Sequence, residues 1–535
     1  MGAATVLAAI VTMDQVASER REERKRKADL RQLARGSAFN LAGSMVAAVL
    51  NLALPVIITR GLAKEDAGIF FQATALYPIL INVGTIGADT GVLRSLPRAI
   101  ALERVDRIPR YLRTGVSLPV LFTLAMSALG IALAGPIAQW ATNSDGDPAR
   151  QFEVALWILL PLLPVAVGYI ILVAASRGLG SVRPLVMVEK LGRGSVQVAA
   201  VWGASLASSL SLILVAWVLP YVAALIVIAL WVRSMYFRLR AKHPGSDDVT
   251  VDEGKLRKDF WSFAAPRALS RVFSVALQRF DIILVGAILG PAQAAIYAAA
   301  TRFLILGLMF VQAIQQVMAP NISQLLATHD DDRANQLYRT TTTWLTLVSW
   351  PIYLLAAWYA PMLLDVFGEG YDSGSTTVEI LCLFMLIATV CGPVDSVLLM
   401  GGRSVLSLIN TGLALLVSVV LDVILVPRLG IEGAAMGWSV GILVNNLLPL
   451  WQVNRTMGMH PFGPGARTAM SVCVVTFGLI PGFVYAALGQ SLLSLLLALL
   501  LASAAFLLAV TRLRAPLEVD DLVRALRRRR PVNGR

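Results

Sequence analysis

Long apolar runs broken by short polar turns fill the chain from about residue 37 to 511. Fourteen segments can be marked, roughly 37–59, 68–93, 114–135, 152–175, 184–206, 210–232, 262–289, 292–318, 340–364, 376–400, 405–426, 433–452, 466–488 and 490–511. At 1.5 Å rise per residue, about 20 residues cross the ~30 Å hydrocarbon layer of a bilayer, so each segment predicts a spanning helix. The pattern inside the seventh segment is unusual. Arg267, Arg271, Ser274, Gln278 and Asp281 recur at spacings of four and three, which on one continuous helix puts them on a single face. Charged side chains at bilayer depth are costly, so such a stripe is expected to face a bundle interior or a watery cavity.

Composition supports an all-α polytopic membrane protein. Of 535 residues, 57% are hydrophobic and 15% charged, and the mean hydropathy is +0.71. The formal charge of +13 has a topological reading. With the N-terminus in the cytoplasm and fourteen crossings, most of the 46 Lys and Arg fall on the cytoplasmic side, in loops such as Arg94–Arg113 and Arg233–Lys258. Both termini are then cytoplasmic, and the expected location is the cell membrane. The basic tail Arg527–Arg530 is placed to touch anionic headgroups. No recognition fold accompanies the charge, so a nucleic-acid partner is not expected. Cys382, Cys391 and Cys473 lie in apolar segments without ligand spacing, and His243, His329 and His460 stand singly in loops, so no metal site is expected. Residues 1–36 read as a charged cytoplasmic extension. Gly2–Thr12 is too short to span, no signal peptide is indicated, and Met13 is an alternative start.

The chain divides into a first group of six spans (37–232), a cytoplasmic linker (233–261), a second group of six (262–452), two further spans (453–511) and a basic tail (512–535). The turn Arg60-Gly-Leu-Ala-Lys-Glu-Asp-Ala-Gly-Ile-Phe70 resembles Ala287-Ile-Leu-Gly-Pro-Ala-Gln-Ala-Ala-Ile-Tyr297. Six spans separate the copies, which predicts two pseudo-symmetric lobes of the same orientation. Polar positions on the leading helices would meet at a central cleft: Asn40 and Asn51 on the first span, Asp89 on the second, and Arg302 and Gln316 on the eighth. Interhelical hydrogen bonding is the alternative role for the Ser and Asn positions. Arg279 lies about 120° from the stripe and is expected to serve a neighbour or an interface. Asp395 is a candidate ion-coupling group, with a helix-end role as the alternative. No phosphate-binding loop, HExxH or nucleophile elbow is present, so no enzymatic centre is expected. Asp145-Gly-Asp147 falls in an outer loop and reads as a solvated turn.

Arg35-Gly-Ser-Ala-Phe-Asn40, Gly61-Leu-Ala-Lys-Glu-Asp-Ala-Gly-Ile69, Gly87-Ala-Asp-Thr-Gly-Val-Leu-Arg94, Leu289-Gly-Pro-Ala-Gln-Ala-Ala-Ile-Tyr297 and Pro427-Arg-Leu-Gly-Ile-Glu-Gly-Ala-Ala435 together resemble the polysaccharide-biosynthesis flippases. These are the Wzx-type members of the multidrug/oligosaccharidyl-lipid/polysaccharide exporter superfamily. The resemblance covers about residues 35–511. It implies fourteen helices in two lobes around a V-shaped cavity and a polyprenyl-diphosphate-linked oligosaccharide as substrate. It also implies alternating access coupled to a H+ or Na+ gradient, with no other cofactor. Membrane lipids and glycan-assembly proteins are the further partners it suggests. Arg267, Arg271 and Arg302 are the residues that best match the family's central arginines, and Asn40, Asn51, Asp89, Ser274, Gln278, Asp281 and Gln316 are the expected polar lining. A lipid II flippase of the same superfamily is the near alternative. A multidrug antiporter, a polytopic glycosyltransferase or ligase, and an assembly scaffold are the more distant ones.

Overall fold

The structure is a computed structural model that describes residues 43, 45–242 and 253–517. The residue-1–36 extension, Asn40 and the tail from residue 518 lie outside the described residues. Every regular element among the described residues is helical. The first helices are α1 (Met45–Gly61), α2 (Lys64–Thr85), α3 (Ala88–Ala101), α4 (Ile108–Ala132), α5 (Ala134–Thr142), α6 (Asp147–Leu159) and α7 (Leu163–Gly178). A π-helical stretch, Leu185–Arg193, leads into α8 (Gly194–Ser205), followed by α9 (Leu210–Val218) and α10 (Pro220–Lys242). After residue 252 come α11 (Glu253–Leu277), α12 (Phe280–Leu289), α13 (Pro291–Ala300), α14 (Arg302–Ala327), α15 (Asp331–Trp358) and α16 (Ala360–Leu364). The remainder is α17 (Ser375–Val390), α18 (Val394–Met400), α19 (Ser404–Leu429), α20 (Ile431–Met457), α21 (Pro464–Cys473), α22 (Ile480–Leu488) and α23 (Leu492–Arg512).

Nine helices among the described residues are long and apolar enough to cross a membrane, or twelve when each of three bent pairs counts as one crossing. Their lipid-facing surfaces keep exposed leucines, as on α23 at Leu496, Leu500 and Leu507, while Ser494, Ala498 and Ala502 are buried one turn apart. This is a polytopic membrane fold; α23 turns small residues inward and large apolar ones outward, while the core elsewhere is filled by large side chains such as Phe70, Phe71, Phe152 and Tyr169.

Several segments read as single helices are broken. The segment 68–93 is two helices, separated at Ile86 (φ 48°) and Gly87 (φ 74°). A Cβ at Gly87 would stand 2.2 Å from the carbonyl oxygen of Ala264, so glycine there permits both the left-handed turn and backbone contact with α11. The seventh segment bends by 48° between α11 and α12. Gln278 and Arg279 form tight i→i−3 bonds, and Trp438 Nε1 donates to the freed Leu277 carbonyl at 3.0 Å. Residues 331–367 bend by 90° after Trp358, and residues 291–312 by 40° at Thr301. Helix runs into both ends of the polar stretch 233–261, since α10 continues to Lys242 and α11 begins at Glu253.

The seam between the residues before 242 and those after 253 is built by α2, α3, α4 and α5 against α11, α12 and α13. At the predicted outer end the two similar turns meet. A Cβ on Gly68 would lie 1.8 Å from the Pro291 carbonyl oxygen, and one on Gly286 would overlap the Gln72 amide. Gly286 is therefore a packing position, and Gly290 (φ 90°) supplies the turn that follows it. Arg60 fastens this end by donating from Nε to the Val366 carbonyl (2.8 Å) and from Nη2 to the Asp365 carbonyl (3.2 Å).

Candidate functional site

Helix α11 packs against α2, α3 and α4 and against α19. Its buried positions Leu256, Phe260 and Ala264 are spaced by four and face α3, where Gly91 makes room for the Phe260 ring. Arg267 and Arg271 continue the same face, since seven residues from Ala264 to Arg271 return to within about 20°. Yet both arginines are exposed. A face that is packed at Ala264 and open at Arg271 has open space beside it, bounded by the N-terminal helices.

Two arginines from those helices border the same space. Arg94 of α3 and Arg267 of α11 both sit over the Phe263 ring, with guanidinium carbons 4.1 Å and 3.8 Å from its centroid. Arg177, at the end of α7, interacts electrostatically with Arg271 and with Asp89 in the first turn of α3. None of the four arginines has a hydrogen-bond or ion-pair partner among the described residues. The geometry limits the Arg94–Arg267 separation to less than about 8 Å. Like charges at that distance repel by about 0.5 kcal/mol in water and about 2 kcal/mol near a protein surface. Each cation–π contact at an exposed site returns about 0.5–1 kcal/mol. The group is thus held close to balance, with its donors available to an anion.

The remaining expected site residues are placed as follows. Asn51 is exposed on α1, Ser274 donates to the Ser270 carbonyl (2.9 Å), and Gln278 is exposed at the α11–α12 bend. Asp89 is partly buried beside Arg177. Gln316 lies on α14, but its side chain is outside the described set. Two expectations need correction. Asp281 does not line the open space: it is 4% exposed and accepts from the Tyr297 hydroxyl at 2.8 Å and from the Ile282 amide at 2.9 Å. Arg302 does not join Arg267 and Arg271. Its charged neighbours are Arg279 and Asp281, and its guanidinium lies 5.4 Å from the Phe71 centroid. The bend carries Asp281 off the stripe's line and brings Arg279 beside it. Asp395 opens α18 and accepts from Ser407 Oγ at 2.5 Å, tying α18 to α19.

Two other polar groups lie apart from the open space. On the π-helical stretch Glu189 pairs with Arg193 through both carboxylate oxygens (2.7 and 3.2 Å), and Arg193 also donates to Gln197 Oε1 (3.0 Å). The two satisfy one another along their own helix, with the Tyr221 ring against Arg193 and Tyr169 of α7 beside Glu189, so the pair reads as structural. At the predicted cytoplasmic end a cavity of about 380 Å³ opens between Asn335 and Arg339 of α15 and Gly463–Gly465 before and in α21. His460 is held there by the Arg339 guanidinium and by Asn335 Oδ1, rather than standing alone.

Residues 33–326 match the family model described as polysaccharide biosynthesis protein, which is more than half of the chain. The chain belongs to the polysaccharide biosynthesis protein family. A second model, MatE, matches residues 266–424. A protein of Shigella flexneri named "Putative O-antigen transporter" is 24% identical over 438 residues, covering 80% of this chain and 99% of the relative. The "Probable low-salt glycan biosynthesis flippase Agl15" of Haloferax volcanii is 21% identical over 424 residues, 78% of this chain and 82% of that one. Among solved structures, the lipid II flippase MurJ in an inward closed conformation superposes with a TM-score of 0.70 at 13% identity, covering 91% of this chain and all of that one. An inward-facing multidrug resistance MATE transporter of the MOP superfamily superposes at 0.65 and 16% identity, over 79% and 98% of the two chains. The chain shares its fold with these solved flippase and transporter structures.

Proposed function

We propose that the protein moves a polyprenyl-diphosphate-linked oligosaccharide, a cell-surface polysaccharide precursor, from the inner to the outer leaflet of the cytoplasmic membrane. The observation that carries this reading is the open-sided arginine group at the seam. Arg94, Arg177, Arg267 and Arg271 come from three helices on both sides of it, and none is hydrogen-bonded or ion-paired to an acid among the described residues, with Asp89 near Arg177 as a single electrostatic neighbour against four positive charges. A diphosphate supplies charged oxygens in the geometry that guanidinium forks bind. In this reading the diphosphate pairs with the arginines, the glycan occupies the hydrated space near Asn51 and Gln278, and the prenyl tail stays in lipid.

The proposal includes fourteen spans, two lobes at 37–232 and 262–452, two added helices over 453–511 and cytoplasmic termini. One lobe rocks against the other, opening the space first to one face and then to the other. A H+ or Na+ gradient drives the cycle, with Asp395 the carboxylate to test, and glycan-assembly proteins deliver the substrate.

The test is export in a deletion strain complemented with variants. Arg271→Ala is expected to abolish export of the surface glycan, with normal amounts of protein in the membrane and accumulation of lipid-linked oligosaccharide inside. Normal export by that variant refutes the central role of Arg271, and accumulation of lipid II instead assigns the peptidoglycan precursor as substrate.

A further inference from the structure

Phe263 is half-buried on α11, one turn before Arg267, and it is the one side chain that both Arg94 and Arg267 rest on. We propose that Phe263 is a positioning residue for diphosphate recognition: its ring holds a guanidinium from α3 beside one from α11 while leaving the N–H donors of both free. The inference rests on the flippase reading above and assigns a role to a residue that touches no substrate itself.

An arginine can be fixed in place by a carboxylate or by an aromatic face. A carboxylate fixes it through hydrogen bonds, but it then occupies the donors and cancels the charge an anionic ligand needs. An aromatic face attracts the cation without taking a hydrogen bond. The α3–α11 seam contains both arrangements a few residues apart. Arg98 is paired with Asp259 at 3.6 Å, one turn along each helix from Arg94 and Phe263. Phe260 itself is buried in the notch at Gly91 and does packing alone. Among the described residues of α3 and α11, Phe263 is where an aromatic ring meets arginines from both helices, with no ion-paired acid. The two guanidinium groups are thereby less than about 8 Å apart on two different helices. An anion with two phosphates can engage both at once, so binding also bridges α3 to α11.

The experiment uses the full chain in lipid nanodiscs, with a glycan-free polyprenyl diphosphate as probe and the polyprenyl monophosphate for comparison. Phe263→Leu keeps an apolar side chain but removes the aromatic face. Its affinity for the diphosphate is expected to fall about tenfold, equivalent to about 1.4 kcal/mol, with little change for the monophosphate and an unchanged melting temperature. Phe263→Trp is expected to restore binding, because indole is the strongest cation–π partner. In the Arg94→Ala, Arg267→Ala background, Phe263→Leu should cost nothing further, the signature of a shared interaction. Wild-type affinity in Phe263→Leu, or failure of Trp to rescue, overturns the positioning role while weak binding by Arg267→Ala leaves the flippase reading standing. If neither arginine variant loses affinity, the flippase reading itself falls.

Discussion

Substituting Gly68 by alanine tests whether the seam must close at the end where α2 and α13 begin. The added Cβ would stand 1.8 Å from the Pro291 carbonyl oxygen, a distance no real contact reaches. An ordinary contact needs about 3.4 Å, so one helix start has to retreat by roughly 1.5 Å. Gly68 and Ala294 are both fully packed here, and neither neighbour is a flexible side chain that could swing away. Overpacking of this kind costs about 1–3 kcal/mol. Applied only to the closed arrangement, 2 kcal/mol shifts an equilibrium between closed and parted forms by about 30-fold. The three native cysteines are buried, so a cysteine introduced at Ala294 reports on this seam alone. A membrane-impermeant maleimide is expected to label Ala294→Cys slowly, and much faster when Gly68→Ala is added, with export reduced in step. Gly203→Ala is the control, because nothing lies within 4 Å of its Cβ and alanine there only improves helix propensity. Equal labelling with and without Gly68→Ala, together with normal export, would refute the claim that this contact holds the halves together.

Two other outcomes follow from the polar groups. Tyr297→Phe removes the donor to buried Asp281, and an unpaired buried carboxylate oxygen costs about 1–3 kcal/mol; thermal unfolding in detergent should show a clear loss of stability, and an unchanged Tm would mean that Asp281 finds another partner. Asp395→Asn keeps the shape of the carboxylate that binds Ser407 but removes its charge; if Asp395 couples transport, export will lose its dependence on pH or sodium, and an unaltered ion dependence with lower stability limits Asp395 to joining α18 and α19.

The helical, membrane-spanning character was legible because it depends on the one property sequence reports directly, long runs of apolar side chains. The breaks within those runs were not, and the prolines show why. Pro78, Pro97, Pro119, Pro266, Pro320, Pro351, Pro427 and Pro449 all lie inside helices that continue past them. The bend at Gln278–Arg279 contains neither proline nor glycine and is held by a tryptophan from α20 bonding to the Leu277 carbonyl. A long-range partner decides where that helix breaks, so local propensity could not locate it. The same fact limits the polar stripe. Over Arg267 to Ser274 the helix is continuous, so residues spaced by four and three lie on one face. Beyond Leu277 the axis changes direction, the 3.6-residue period loses its phase, and Asp281 leaves the stripe for a hydrogen bond inside the packing.

Arg94 and Arg177 are not legible as site residues in the sequence for a different reason. Each lies near the predicted cytoplasmic end of an apolar segment, where the positive-inside rule already gives an arginine a role. A signal was present in Gly87-Ala-Asp89, which places a helix break and an acid five residues before Arg94 inside an apolar run, and in the glycines at 87 and 91. Those glycines let α11 approach α3 closely enough for Phe263 to reach Arg94. Topology and ligand binding are therefore not competing explanations of the same charge. An arginine that orients a helix at the membrane surface becomes a candidate ligand for anions where helix packing brings it beside an open space without an ion-paired acid, as at Arg94. At this seam the absence of side chains on two glycines is what allows that packing.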